Sequence, residues 1–159
     1  MSIRSTAKAL IVNDGKVLLN KCRNEKYGDY YSLPGGGQHQ YEALHDALIR
    51  ECLEETGYTV VPVRFAALCE DISMSEEVRE NHPDYAHRMY HIFICELAEV
   101  ARKEPTETDD MQVSSEWIPI VSLKQARTLP KVLGENIDKV LDGTAPLFLG
   151  SEYMDFNHS

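Results

Sequence analysis

Apolar and polar positions sort the chain into short β-like blocks around one helical block. Thr6 to Val12 and Lys16 to Lys21 are apolar, β-rich runs joined by Asn13-Asp14-Gly15, and an Asp-Gly pair between such runs predicts a hairpin. Tyr31 to Leu33 reads as a short strand running into Pro34-Gly35-Gly36-Gly37, a turn whose glycines allow close approach of backbone to a ligand. From Tyr41 to Thr56 the period changes: Leu44, Ala47, Leu48 and Cys52 recur at helical spacing with Leu53 nearby, and Gly57 supplies a left-handed stop. Tyr58 to Val63 and Arg64 to Cys69 read as strands separated or bulged near Pro62, followed by an irregular stretch from Ser73 to Ala86. His87 to Leu97 has the strongest β-propensity and belongs at the centre of a sheet, with His91 as a strand histidine and His87 nearer the loop. Lys103 to Ser114 is polar and acidic, and Glu116 to Pro119 looks like a closing strand with Trp117 in the core. Val121 to Thr128 then predicts a short helix, and Pro130 opens another in which Leu133, Ile137, Val140 and Leu141 repeat until Gly143. The tail, 144–159, reads as irregular yet apolar, fit to pack on its own domain or to join two copies as a homodimer.

The helical block is poorly arranged for stability alone. Glu51 faces Glu54 at i,i+3 and Glu55 at i,i+4, and each like-charge pair costs about 0.2–0.5 kcal/mol. All three acids lie in the last two turns, where the macrodipole is negative and a carboxylate is unfavourable by about 0.3–1 kcal/mol. Arg50 can pair with Glu54 at i,i+4 but leaves Glu51 and Glu55 facing one space. A hard divalent cation resolves the conflict: oxygen-only ligands suit Mg²⁺, with Mn²⁺ as substitute, and Mg²⁺ commonly shares its shell with substrate phosphates.

Gly36, Glu42, Arg50, Glu51, Glu54, Glu55 and Gly57 fill every fixed position of the pattern Gly-x5-Glu-x7-Arg-Glu-U-x-Glu-Glu-x-Gly-U, with U a bulky apolar residue. The stretch thus resembles the Nudix box. Cys52 stands where an aliphatic residue is usual, Tyr58 fills the last apolar site, and His39 and Tyr41 occupy places where many members carry Glu and Gly. The resemblance implies an α/β fold, a mixed β-sheet sandwiched between α-helices (an α/β/α sandwich), forming one domain over 1–159. It also implies a Mg²⁺-dependent pyrophosphohydrolase acting on a nucleoside diphosphate linked to a moiety X, such as a nucleoside triphosphate or nucleotide sugar. Metal would be held by Glu51, Glu54, Glu55 and the Gly36 carbonyl, with Glu51, Glu54 and Arg50 as the catalytic set. Arg4, Arg23, Gly35 and Gly37 would meet the substrate, and a further acid would come from Glu70, Glu107, Asp109 or Asp110. The rival reading is a catalytically silent Nudix-fold module that binds a nucleotide. The proline downstream of the box that marks many ADP-ribose hydrolases is missing between Ala66 and Glu80.

Composition narrows the partners. A net charge of -10 over 159 residues argues against duplex nucleic acid and leaves a small nucleotide substrate in a locally basic pocket. Four cysteines without CxxC spacing read as buried free thiols in a reducing compartment. No run reaches membrane-spanning length and the N-terminus lacks a leader pattern, so a cytoplasmic location is expected.

Overall fold

The computed structural model describes residues 2–26, 28–108 and 110–154. Strands β1 (Arg4–Asn13) and β2 (Lys16–Asn24) meet at the expected turn, where Asp14 and Gly15 have φ of 50° and 71°. Only the tip of the hairpin pairs, Val12 with Val17 and Asn13 with Lys16. Beyond it the strands splay. β1 runs parallel to β6 (His87–Leu97), which lies antiparallel to β5 (Val60–Ser73), while β2 pairs with β3 (Gly28–Ser32) and β7 (Gln112–Pro119). The gap left on β1 is filled by β4 (Gly35–Gly37), which pairs Thr6 with Gly37, Ala7 with Gly36 and Lys8 with Gly35. Parallel and antiparallel pairs thus share one curled, mixed sheet, and β6 is an interior strand, as its composition predicts.

Helix α1 (Leu44–Thr56) packs on one face through Ala47, Leu48 and Cys52 against Ala7, Ala9, Ile11, Phe93 and Cys95. On the other face, α3 (Lys131–Glu135) and α4 (Ile137–Asp142) set Leu133, Ile137 and Val140 against Leu10, Val17, Ala67 and Ile92. Helices therefore lie on both faces, in agreement with the expected sandwich. All four cysteines are free and buried, and Trp117 packs edge-on to Tyr58 beside the α1 core.

Several elements differ from the sequence expectations. α1 begins at Leu44 rather than Tyr41, because Tyr41 holds φ of 69° in a turn closed by the Glu42 amide donating to the His39 carbonyl. That left-handed backbone costs a bulky residue about 1–2 kcal/mol. Of the two readings around Pro62 the bulged one holds: a single strand runs through, and its register shift at Pro62/Arg64 absorbs the missing N–H. The stretch from Ser73 to Ala86 is not a bare loop. Ser75 caps α2 (Glu76–Asn81) by accepting from the Val78 amide, and Glu76 and Glu77 stabilise its positive N-terminal end. A single 3₁₀ turn, Pro83–Tyr85, follows.

The helix expected over Val121 to Thr128 is reduced to a 3₁₀ turn, Ile120–Ser122, because Thr128–Leu129 is drawn off as β8, parallel to Tyr31–Ser32. The C-terminal helix is broken in two at Asn136. The tail is not irregular over 147–154: it forms β9 (Leu147–Met154), parallel to β5, with Leu147 and Leu149 packed on the core and Phe148 and Tyr153 outward. The described part of the tail thus packs on its own domain.

Candidate active site

α1 delivers its carboxylates through the all-glycine strand. A Cβ built on Gly36 would lie 2.5 Å from Glu51 Oε2, so only a residue without a side chain lets this carboxylate reach the cleft beyond β4. The left-handed Gly57, φ 77°, ends the helix and donates its amide to the Leu53 carbonyl. The Glu54 carbonyl is satisfied from the acidic loop instead, by the amides of Thr106 and Glu107 at 2.9 and 3.0 Å.

Arg50 organises the acids. Its Nε and Nη2 donate to the two oxygens of Glu42 at 2.8 and 2.9 Å, and Nη2 also donates to the Gly37 carbonyl at 3.1 Å. Its Nη1 bridges Glu51 Oε1 at 2.8 Å and Glu54 Oε2 at 3.3 Å. The expected i,i+4 pair with Glu54 is present, but the stronger contact is with the adjacent Glu51. The Arg50 clasp and the His39 amide draw the Glu42 carboxyl down to about 2, and the same clasp raises the guanidinium above its usual value. Glu42 is therefore committed to the junction of loop and helix.

Glu55 does not share the exposure of Glu51 and Glu54 on the helix. It is 4 % exposed, and its Oε2 accepts from Asn20 Nδ2 at 2.9 Å and from the Gly35 amide at 3.0 Å. Asn20 is in turn held by Gln112 Nε2 at 3.3 Å and Ser115 Oγ at 3.0 Å, and Gln112 also donates to the Glu55 carbonyl. Strands β2 and β7 thus fix the orientation of a helix carboxylate.

Glu51, Glu55 and the three glycines share a cleft with Arg4, Lys8 and Arg88. Sequence reasoning overlooked Lys8 and Arg88, although the period-two alternation of β1 and β6 carries the signal. The parallel register sets Arg4 beside Arg88, Thr6 beside Tyr90 and Lys8 beside Ile92, all on one face. Lys8 Nζ donates to the Gly35 carbonyl at 2.9 Å, and the Arg4 guanidinium stacks 4.6 Å over the Tyr85 ring. Arg88 is paired with buried Asp71, its Nε and Nη2 donating at 3.1 and 2.8 Å.

The structure brings Arg4, Gly35, Gly36, Gly37, Glu51 and Glu55 to the cleft, with Glu54 alongside through Arg50. It does not bring Arg23 there: that side chain lies at the surface, 2.9 Å from Asp29. Glu70 is engaged with His87 at 2.8 Å and Ser151 at 2.5 Å, away from the cleft lining. Glu107 and Asp110 are exposed, and Asp109 lies outside the described residues.

Among the described residues no three His, Cys, Asp or Glu side chains are gathered as a metal-holding group. The donor set nevertheless fits a hard cation. Two carboxylates converge on one positively charged nitrogen of Arg50, and Glu51 lies against Gly36.

The NUDIX domain family model matches residues 3–140. The chain belongs to this family, whose hydrolases generally use divalent metal ions. No curated protein matches it by sequence. Among solved structures it is similar to a UDP-X diphosphatase (19 % identity, 98 % of this chain and 68 % of that one, TM-score 0.63). It is also similar to an ADP-ribose pyrophosphatase from Streptococcus suis (20 %, 92 % and 99 %, 0.63). A mutator MutT protein from Bacillus halodurans shares the fold as well (17 %, 96 % and 91 %, 0.67). No helix of the described residues is long and apolar enough to cross a membrane.

Proposed function

We propose that this protein cleaves the pyrophosphate bond of a nucleoside diphosphate linked to a second moiety, a nucleoside triphosphate or nucleotide sugar, with Mg²⁺ as the working cation and Mn²⁺ as its substitute. The observation that carries the reading is the convergence of Glu51 and Glu54 on a single Arg50 nitrogen, beside a glycine strand that opens onto a cleft lined with cations. Glu51, Glu54 and Glu55 with the Gly36 carbonyl would hold the metal. When bound, the cation supplies charge neutralisation on the phosphate oxygens and a lowered pKa for attached water.

The remaining work falls to the chain. Arg50 aims Glu51 and Glu54 through charge-assisted hydrogen bonds, and Asn20 with the Gly35 amide orients Glu55. Arg4 and Lys8 stabilise the negative charge of the diphosphate from the β1 side of the cleft. Glu51, which lines the cleft without being wedged against the Gly35 amide, takes the proton of the attacking water. Glu70 is taken up by His87 and Ser151 away from the cleft lining, which favours a base from the box itself.

Release of phosphate or pyrophosphate from nucleoside triphosphates, nucleotide sugars and dinucleoside polyphosphates, with and without Mg²⁺, tests this in wild type and Glu54→Gln. Metal-dependent turnover lost in the variant is the expected result. Intact compounds throughout, with nucleotide still bound, would leave a silent binding module.

A further inference from the structure

A second cavity adjoins the cleft on the far side of Arg4. It is about 520 Å³ and is lined by Ile3, Arg4, Gln38, His39, Tyr41 and Asp84, among others. The glutamate cleft is the narrower of the two, at about 90 Å³. The neighbouring cavity falls in the range of small-molecule sites, about 300–1,000 Å³.

Arg4 lines both spaces. Among the described residues its guanidinium has no hydrogen-bond acceptor and no ion-pair partner; it rests on the Tyr85 ring, 4.6 Å from the centroid. It also packs so tightly on Gly37 that a Cβ there would lie 2.5 Å from Arg4 Nη2. A half-buried fork of donors, fixed by a ring on one side and a backbone on the other, is preorganised for an anion at the junction of the two cavities.

The outer wall carries the second observation. Tyr41 is 99 % exposed and holds φ of 69°, a backbone that disfavours a bulky side chain. Its ring has no packing of its own to offset that strain. Aromatic side chains are costly to leave bare and serve readily as stacking platforms, because every nucleobase offers a π-face. His39 and Asp84 line the same cavity and carry groups of the kind that read ribose hydroxyls and base edges, while the Gln38 amide is engaged by Ser5 and the Glu42 carbonyl.

We propose that this cavity is the nucleoside subsite: the phosphate chain leaves the glutamate cleft past Arg4, and the base stacks on Tyr41. The proposal rests on the nucleotide-hydrolase reading above.

Calorimetric titration in EDTA, where no turnover occurs, separates the two claims. The probes are AMP, UMP, GMP, CMP, ribose 5-phosphate and inorganic phosphate, and the proteins are wild type, Tyr41→Gly and Tyr41→Phe. Stacking predicts that the nucleoside monophosphates bind wild type at least about fivefold tighter than ribose 5-phosphate. Tyr41→Gly should lose that margin while holding or raising Tm, since glycine relieves the left-handed strain. Tyr41→Phe should keep the margin. For whichever substrate is cleaved with Mg²⁺, Tyr41→Gly should raise KM at least about fivefold with kcat within about twofold. Nucleoside monophosphates that bind no tighter than ribose 5-phosphate, or a Tyr41→Gly protein with unchanged affinities and unchanged KM, overturn the subsite. Base-dependent binding without hydrolysis of any compound would sustain it while removing the hydrolase reading.

Discussion

Two arginine clusters flank the cleft, and they are built on opposite terms. Arg88 faces Asp71 through two hydrogen bonds, with Tyr90 donating to the same carboxylate at 2.7 Å, and the two charged side chains are 7 % and 3 % exposed. One cation meets one anion, and burial leaves neither oxygen to the solvent. Arg50 faces Glu42, Glu51 and Glu54, all partly exposed, with Glu55 behind them. Three anions share one cation. The balanced cluster holds strands β5 and β6 together; the unbalanced one carries excess negative charge toward the cleft.

Substitutions should pull these roles apart. Glu54→Gln should lower metal-dependent kcat by about 100-fold or more while the urea midpoint stays close to wild type, because the lost charge was in excess. Asp71→Asn should do the reverse. Breaking a buried pair strands a charge and costs about 3–5 kcal/mol, read as a lower urea midpoint. A Glu54→Gln protein as destabilised as Asp71→Asn would erase the distinction.

A smaller effect is expected one layer back. Asn20 touches no cleft atom in its contacts with Gln112 and Ser115, yet it fixes Glu55. Asn20→Ala should weaken Mn²⁺ binding, followed by electron paramagnetic resonance, by about 10–100-fold, the usual consequence of removing a hydrogen bond behind a ligand. Unchanged Mn²⁺ affinity would reduce Asn20 to packing.

Acid should loosen the unbalanced cluster at its loop end. The folded protein holds Glu42 at about 2 against an ordinary 4.5, chiefly through Arg50. A depressed carboxylate contributes stability that is whole above pH 4.5 and disappears as the pH falls toward about 2. In Glu42→Gln the stability lost between those limits should shrink, seen as a flatter plot of Tm against pH. The smallest effect concerns the thiols. Burial pushes Cys69 and Cys95 up to about 12 and Cys52 well above its usual value, so the native protein at pH 8 should be silent to a thiol reagent that labels all four cysteines after unfolding.

How far these clusters were readable in advance differs. The Arg50 cluster is local: Arg50, Glu51, Glu54 and Glu55 fall within two helical turns, so their spacing exposes the charge conflict directly. The Arg88 cluster joins β5 to β6, and nothing in the spacing of Asp71 and Arg88 announces it. The same limit explains Lys8, which becomes a cleft residue because β1 leaves β2 after two residue pairs and takes Gly35 as a neighbour. Arg23 shows the converse: it was expected to meet the substrate, but its strand orients it to Asp29 at the surface.

The sequence by itself determined the helix with its three acids, the ligand-approaching glycine run before it, the hairpin turn and the order of the main strands, because each is encoded within a few residues by period, charge spacing or turn chemistry. That the glycines form a strand on β1 was left to the structure. Only the tertiary structure decided that the tail over 147–154 closes the sheet edge, that Glu55 is buried on Asn20, and that Arg4, Lys8 and Arg88 face the acids across one cleft. Those outcomes depend on strand register and on the splaying of β1 from β2. Such pairings join residues far apart in the chain, and local pattern carries no record of which partner wins.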